Sequence, residues 1–221
     1  MIRPICRPQD LPQRPLNAAD FANITGVSRE TTDALAGYAS LLEKWQRRIN
    51  LVGPNTLPDL WRRHMLDSAQ LAPLIPPGAR RLLDLGSGAG FPGLVLAAMT
   101  GMEVHLVESD QRKAAFLREA ARTLGVTERV FVHAKRAETL QIDPPDVISA
   151  RALAPLPSLL TLALPFWNKG CCAVFPKGKQ YKDELTDINY GWYIDYDVIP
   201  SAVDPDSVVL AVSHLAVKAK D

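Results

Sequence analysis

A chain of 221 residues with a formal net charge of +1 has no global field to steer a polyanion or an acidic membrane, so any charged partner must meet local clusters. Hydrophobic residues make up 47%, which excludes a disordered chain and suits one large domain, or one domain with a small extension. Three cysteines, Cys6 and the adjacent Cys171 and Cys172, form neither a disulfide framework nor a metal-ligand spacing.

No metal is therefore expected. The N-terminus lacks the apolar core of a signal peptide, and no apolar run reaches membrane-spanning length. A cytoplasmic protein without membrane contact is expected, acting as a monomer.

Residues 1–16 are proline-rich and are expected to form a disordered tail. Over 17–78 the pattern is helical and reads as an N-terminal extension. Leu35, Tyr38, Leu41, Leu42, Trp45 and Ile49 recur at three- and four-residue spacing, and Asn50 ends that helix. A further helix is expected over 57–71. Pro73, Pro76, Pro77 and Gly78 then mark a boundary.

From 79 to 221 strands and helices alternate. Strands are expected at 81–85, 103–107, 130–133, 147–150 and 171–175. Helices are expected at 92–99, 111–124 and 156–166. A loop over 176–179, a short helix over 182–189 and strands at 192–199 and 207–215 complete the chain. This order predicts a doubly wound, mostly parallel α/β sheet with an antiparallel edge strand.

In such sheets ligands bind at the carboxyl ends of the strands. The first strand runs into Asp84-Leu85-Gly86-Ser87-Gly88-Ala89-Gly90-Phe91-Pro92-Gly93. Gly88, Gly90 and Gly93 match the dinucleotide spacing, but counting from Gly86, which directly follows the strand, puts Phe91 where the third glycine belongs. Asp84 also argues against a pyrophosphate, which it would repel. It would attract the ammonium and sulfonium charges of S-adenosylmethionine. At roughly 4 Å that attraction is about 1 kcal/mol in water and about 4 kcal/mol at an effective dielectric of 20. A tight turn with a capping acid and no ligand is the bland alternative.

The second strand ends in Glu108, placed to bind both ribose hydroxyls, or else to sit at the start of the next helix with Ser109 and Asp110. Lys135, Arg136, Ala137 and Glu138 follow the third strand and can flank an adenine. Arg151 follows the fourth. An unpaired buried arginine is costly, so it faces the cleft or enters a structural ion pair. Asp143-Pro144-Pro145-Asp146 precedes the fourth strand and lacks an aromatic, so it reads as a turn and not as an amine-methylating signature. His64, His105, His133 and His214 are scattered, with no triad order or metal motif. Methyl transfer to a free lone pair, such as guanine N7, needs no general base and can rest on positioning.

Basic residues crowd three runs: Lys44, Arg47, Arg48, Arg62, Arg63 and His64; Arg112, Lys113, Arg118, Arg122, Arg129, Lys135 and Arg136; and Lys177 with Lys179. Placed around one cleft they suit phosphate contacts, although a solvated helix face is the usual meaning of one such run. Arg62, Arg63, His64, Lys113 and Lys177 are the candidate RNA contacts.

At these residues the chain resembles the ribosomal RNA small subunit methyltransferase G family, also called glucose-inhibited division protein B, over roughly residues 35–216. The likeness is carried by the glycine segment, by Glu108-Ser109 with Arg112-Lys113 and Phe116-Leu117-Arg118, and by Asn50-Leu51. Arg63-His64 with Leu66-Asp67-Ser68, Ser149-Ala150-Arg151-Ala152 and Lys177-Gly178 complete it. The resemblance implies a Rossmann-like class I methyltransferase fold, S-adenosylmethionine as cofactor, and methylation of guanine N7 in the decoding-region loop of 16S rRNA. It implies cofactor contacts at Gly86, Phe91, Ala137, Glu138 and Arg151, beside Asp84, Gly88 and Glu108 from the strand ends. The partner would be 16S rRNA or the small ribosomal subunit. Competing readings are a methyltransferase for a protein or small molecule, and a non-catalytic RNA-binding assembly factor. A dinucleotide oxidoreductase is disfavoured by Asp84. Asp195, Asp197, Asp204 and Asp206 belong to no motif.

Overall fold

The computed structural model describes residues 5–188 and 191–218. Helix α1 (Ala18–Thr25) starts where the Asn17 side chain accepts from the Asp20 amide, and it stops at Gly26 in a left-handed conformation. Helix α2 (Arg29–Gln46), capped by Ser28, buries Leu35, Tyr38 and Leu42. The Gln46 side chain then holds the amides of Leu51 and Val52, shaping the following loop.

The uninterrupted helix expected over 57–71 is replaced by three short pieces. A 3-10 turn spans Pro54–Asp59, a wide π turn spans Trp61–Leu66, and α3 (Asp67–Ala69) follows. Pro58 lacks an amide to continue an α ladder, and Asp67 N reaches back five residues to Arg62 O. The wide turn sets Arg63, His64 and Asp67 along one wall of a cleft.

Strands β1 (Arg81–Leu85), β2 (Glu103–Val107), β3 (Val130–His133), β4 (Val147–Ala150) and β5 (Cys172–Lys177) alternate with α4 (Gly93–Met99), α5 (Gln111–Thr123) and α6 (Leu156–Ala163). Helix α7 (Tyr181–Asp187) precedes β6 (Trp192–Pro200) and β7 (Val208–Val217). Position 189, expected at the end of that helix, lies outside the described residues. The sheet order is β3-β2-β1-β4-β5-β7-β6, with β7 antiparallel to both of its neighbours. The order reverses between β1 and β4, which puts the cleft at their carboxyl ends.

β5 runs two residues into the expected loop, because Pro176 and Lys177 lie opposite Val209 and Val208 of β7. Asp146 is in an irregular segment, where its carboxylate accepts from the amides of Arg80 and Arg81 at 2.7 and 2.9 Å.

Alternation along β1 divides the core. Leu82 joins Phe21, Leu35, Leu94 and Phe116 on one face, and Leu83 and Leu85 join Leu156, Leu160 and Phe175 on the other. Residues 5–16 correct the expectation of a disordered tail. Leu11 and Leu16 are buried, and Arg62 Nη2 donates to Pro12 O at 2.6 Å and to Arg14 O at 2.7 Å. Prolines stiffen this strap and its two leucines give it apolar surface to bury. Residues 1–4 lie outside the described residues.

Candidate active site

A cleft of about 630 Å³ opens over the ends of β1, β2 and β4. Its floor is the glycine turn. Gly86 has φ of +63°, which glycine adopts without strain, and an added Cβ would stand 2.4 Å from Leu153 Cδ1. Tyr38, fully buried on α2, supports the turn from below by donating to Ala89 O and packing on Phe91 at 5.4 Å.

Glu108 borders the cleft at the end of β2. Its Oε2 accepts from Gly88 N at 2.9 Å and its Oε1 from Asp110 N at 2.8 Å. Each carboxylate oxygen keeps a further lone pair for a hydroxyl. Ala137 and Glu138, after β3 on the β2 side of the sheet, line the same cleft with Lys113, Lys135 and Arg136.

Arg151 is the hub of the other wall. Its Nη1 donates to Asp67 Oδ2 at 3.0 Å and Arg63 O at 3.2 Å, and its Nη2 donates to His64 Nδ1 at 2.7 Å. The guanidinium lies 5.0 Å from the Phe91 ring centroid, and His64 stacks on the same ring at 5.0 Å. Asp67 also accepts from Gln70 Nε2, whose amide oxygen accepts from Ala202 N. Burial pushes the Asp67 carboxyl up against the opposing pull of Arg151.

Of the residues singled out from sequence, Gly86, Gly88, Phe91, Glu108, Ala137, Glu138, Arg151, Arg63, His64 and Lys113 meet around this cleft. Three do not serve as expected. Asp84 is fully buried beneath the turn, with Oδ1 accepting from Ser149 Oγ at 2.7 Å and Gly93 packed so closely that a Cβ there would lie 2.9 Å from Oδ2. It cannot touch a ligand in the cleft, and burial pushes its carboxyl up to about 6. Its alternation with Leu83 and Leu85 turns it toward α4, so it makes no direct contact with a ligand in the cleft. Arg62 is engaged with Asp59 and the N-terminal strap. Lys177 is buried and bonded to Glu184 at 2.7 Å. Neither is an exposed cation on the rim, where an RNA phosphate would pass.

Two further expectations change. His64 is buried, and burial with the adjacent Arg151 and Arg63 charges lowers it to about 3, so it is a neutral wall residue and not a cation. Lys44, Arg47 and Arg48 line a separate depression with Trp45 and Glu119, so the three basic runs do not surround one cleft.

Sequence reading placed Tyr38 only in the apolar stripe of its helix and assigned no role to Thr56, Gln70 or Leu153. The His64-x-x-Asp67 spacing was the available signal for that wall, although the π turn, and not an α-helix, sets the two side chains there. Nothing local signals the others. Among the described residues no helix is long and apolar enough to cross a membrane, and no group of three or more His, Cys, Asp or Glu is placed to hold a metal ion.

The family described as rRNA small subunit methyltransferase G matches residues 31–202. A protein of that name from Rhodospirillum centenum is 52% identical over 206 residues, covering 93% of this chain and 94% of its own. Another from Paramagnetospirillum magneticum is 59% identical, covering 87% and 93%. Among solved structures, an O-methyltransferase from Bacillus cereus in complex with SAH has a TM-score of 0.54 at 16% identity, covering 84% of this chain and 91% of its own. A ribosomal protein L11 methylase from Lactobacillus delbrueckii has a TM-score of 0.55 at 15% identity, covering 68% and 78%. These two show a shared fold.

Proposed function

This chain belongs to the rRNA small subunit methyltransferase G family, and on that premise we propose that it methylates N7 of a guanine in the decoding-region loop of 16S rRNA, with S-adenosylmethionine as donor. The observation that carries the reading is the junction of two surfaces: an acid-and-glycine cradle meets an Arg151–His64–Phe91 wall in one cleft. Bound there, S-adenosylmethionine supplies a methyl group already activated by its sulfonium charge.

The residues present fit that cofactor. Gly86 and Gly88 bring backbone to the floor without side chains, and Glu108 offers acceptors to a ribose. Ala137 and Glu138 edge the space beyond Glu108, where an adenine would rest. Arg151 is fixed by three acceptors and holds Phe91 beneath it, so this wall orients ligands without reorganising. Guanine N7 attacks with a lone pair and loses no proton. His64, neutral and fully hydrogen-bonded, is accordingly not required as a base. Lys113, Lys135 and Arg136 on the rim supply positive charge for RNA phosphates.

The test incubates the protein with methyl-labelled S-adenosylmethionine and small ribosomal subunits from cells lacking the activity. Label is mapped by cleavage specific for N7-methylguanosine. One labelled guanine in the decoding-region loop is expected. Cofactor binding with no label in RNA would overturn the reading.

A further inference from the structure

Beside the cleft lies a second cavity of about 400 Å³, and the two share Asp67, Arg151, Ala152 and Leu153 in their linings. Lys177, at the end of β5, lines it with a side chain only 8% exposed. Its Nζ donates to Glu184 Oε2 at 2.7 Å and to Ala154 O at 3.2 Å. The same Oε2 accepts from Leu156 N at 2.7 Å. Those bonds leave lone pairs on Glu184 Oε1 and a third N–H on Lys177. Desolvation offsets most of the attraction in such a buried pair, so stability alone does not account for an ion pair on a cavity wall.

A donor beside an anionic acceptor is complementary to one edge of one purine. Guanine presents the O6 acceptor next to the N1–H and N2–H donors. Adenine presents the reverse, an N6–H donor next to an N1 acceptor, and would meet the pair with like polarity. We propose that the second cavity receives the acceptor base, turned out of its stack, and that Lys177 and Glu184 select guanine, Lys177 donating to O6 and Glu184 accepting from N1–H and N2–H. N7 is remote from N2 on the ring, so a guanine held by O6, N1 and N2 keeps N7 clear of the pair and able to face the side that this cavity shares with the cofactor cleft. This inference rests on the guanine N7 reading above.

The test uses small ribosomal subunits reconstituted with 16S rRNA carrying either guanosine or inosine at the nucleotide the wild-type protein labels. Inosine keeps O6, N1–H and N7 and lacks only the N2 amino group. Wild-type kcat/KM should fall roughly 10- to 100-fold on inosine, the effect of losing a hydrogen bond to a charged acceptor. Glu184→Gln should shrink that ratio to within about threefold while its affinity for S-adenosylmethionine stays within about twofold of wild type. Equal wild-type rates on the two substrates overturn the proposal, as does a Glu184→Gln protein that keeps the full ratio. If Glu184→Gln does not fold, Glu184→Asp, which keeps the charge but withdraws the acceptor, takes its place with the same expected ratio and the same overturning result. No label on guanosine subunits from wild-type protein overturns the guanine N7 reading itself, and this inference falls with it.

Discussion

Arg151 Nη2 donates to His64 Nδ1 across 2.7 Å, while His64 Nε2 meets Thr56 Oγ1 at 2.7 Å. An arginine only donates, so Nδ1 accepts and the imidazole carries its proton on Nε2. Thr56 Oγ1 receives it and donates onward to Gly53 O at 2.7 Å. The π turn and the loop after α2 are thereby tied to the end of β4.

A pH dependence follows from that neutral imidazole. In the fold His64 protonates only near pH 3, whereas in the unfolded chain it does so near its ordinary 6.5. The unfolded state binds the extra proton between those values. The contribution is therefore complete above pH 6.5 and is lost progressively as pH falls toward 3. From pH 7 to pH 5 the loss is about 2 kcal/mol. Urea unfolding of wild type and His64→Gln at both pH values should show a smaller acid loss in the variant by about that amount. Equal losses would mean that His64 titrates normally.

Asp84 and Glu108 should separate cleanly. Burial holds Asp84 near 6, so below that pH the fold retains a proton that the unfolded chain has released above about 3.8. The ionised buried form thus costs stability as pH rises through 6, and Asp84→Asn should gain relative to wild type between pH 4 and pH 8. Its dissociation constant for S-adenosylmethionine, measured by calorimetry at pH 7, should change less than about threefold. Glu108→Gln removes a charged acceptor from the cleft and should weaken binding about tenfold or more. An Asp84→Asn protein that binds as poorly as Glu108→Gln would contradict the sealed position of Asp84.

Gly86→Ala introduces two stresses, a left-handed φ of +63° and a Cβ placed 2.4 Å from Leu153 Cδ1. Leu153 is partly exposed and can swing its tip aside, whereas the backbone strain of about 1 kcal/mol stays. Thermal unfolding should therefore show about the same penalty for Gly86→Ala in wild type and in Leu153→Ala. A penalty abolished by Leu153→Ala would trace the destabilisation to the side-chain clash instead of the backbone.

Arg62→Ala should free the N-terminal strap, because Arg62 bonds both Pro12 O and Arg14 O while pairing with Asp59. Hydrogen exchange at Leu11 and Leu16 should accelerate at least about tenfold, the equivalent of about 1.4 kcal/mol, with the β1 amides unchanged. Unaltered exchange at those two amides would assign the strap's order to leucine burial and to the Leu16 N–Asp59 bond.

The strand ends and the turn were legible in the chain because neighbouring residues set them. Gly86 follows its strand directly, and Glu108 closes the next strand and meets Gly88 N. Alternation of hydrophobic segments likewise fixes the parallel run of five strands. Less legible was the wall opposite. The π turn violates the 3.6-residue period on which helix reading depends, and β5 lengthens only because β7 lies alongside it.

Sequence by itself determined a strand–turn–helix cradle for a small ligand, the basic rim at Lys113, Lys135 and Arg136, and the order of elements that brings them together. Tertiary structure alone decided which charges are free. Asp84 looked accessible beside its glycines, yet its place in the strand alternation turns it under α4 to bond Ser149, 65 residues away. Arg62 and Lys177 looked like phosphate contacts, yet one clamps the strap and the other pairs with Glu184. Arg151 reaches Asp67 and His64 across 84 and 87 residues. A charge's availability depends on what the folded sheet sets opposite it, and that partner is remote in the chain.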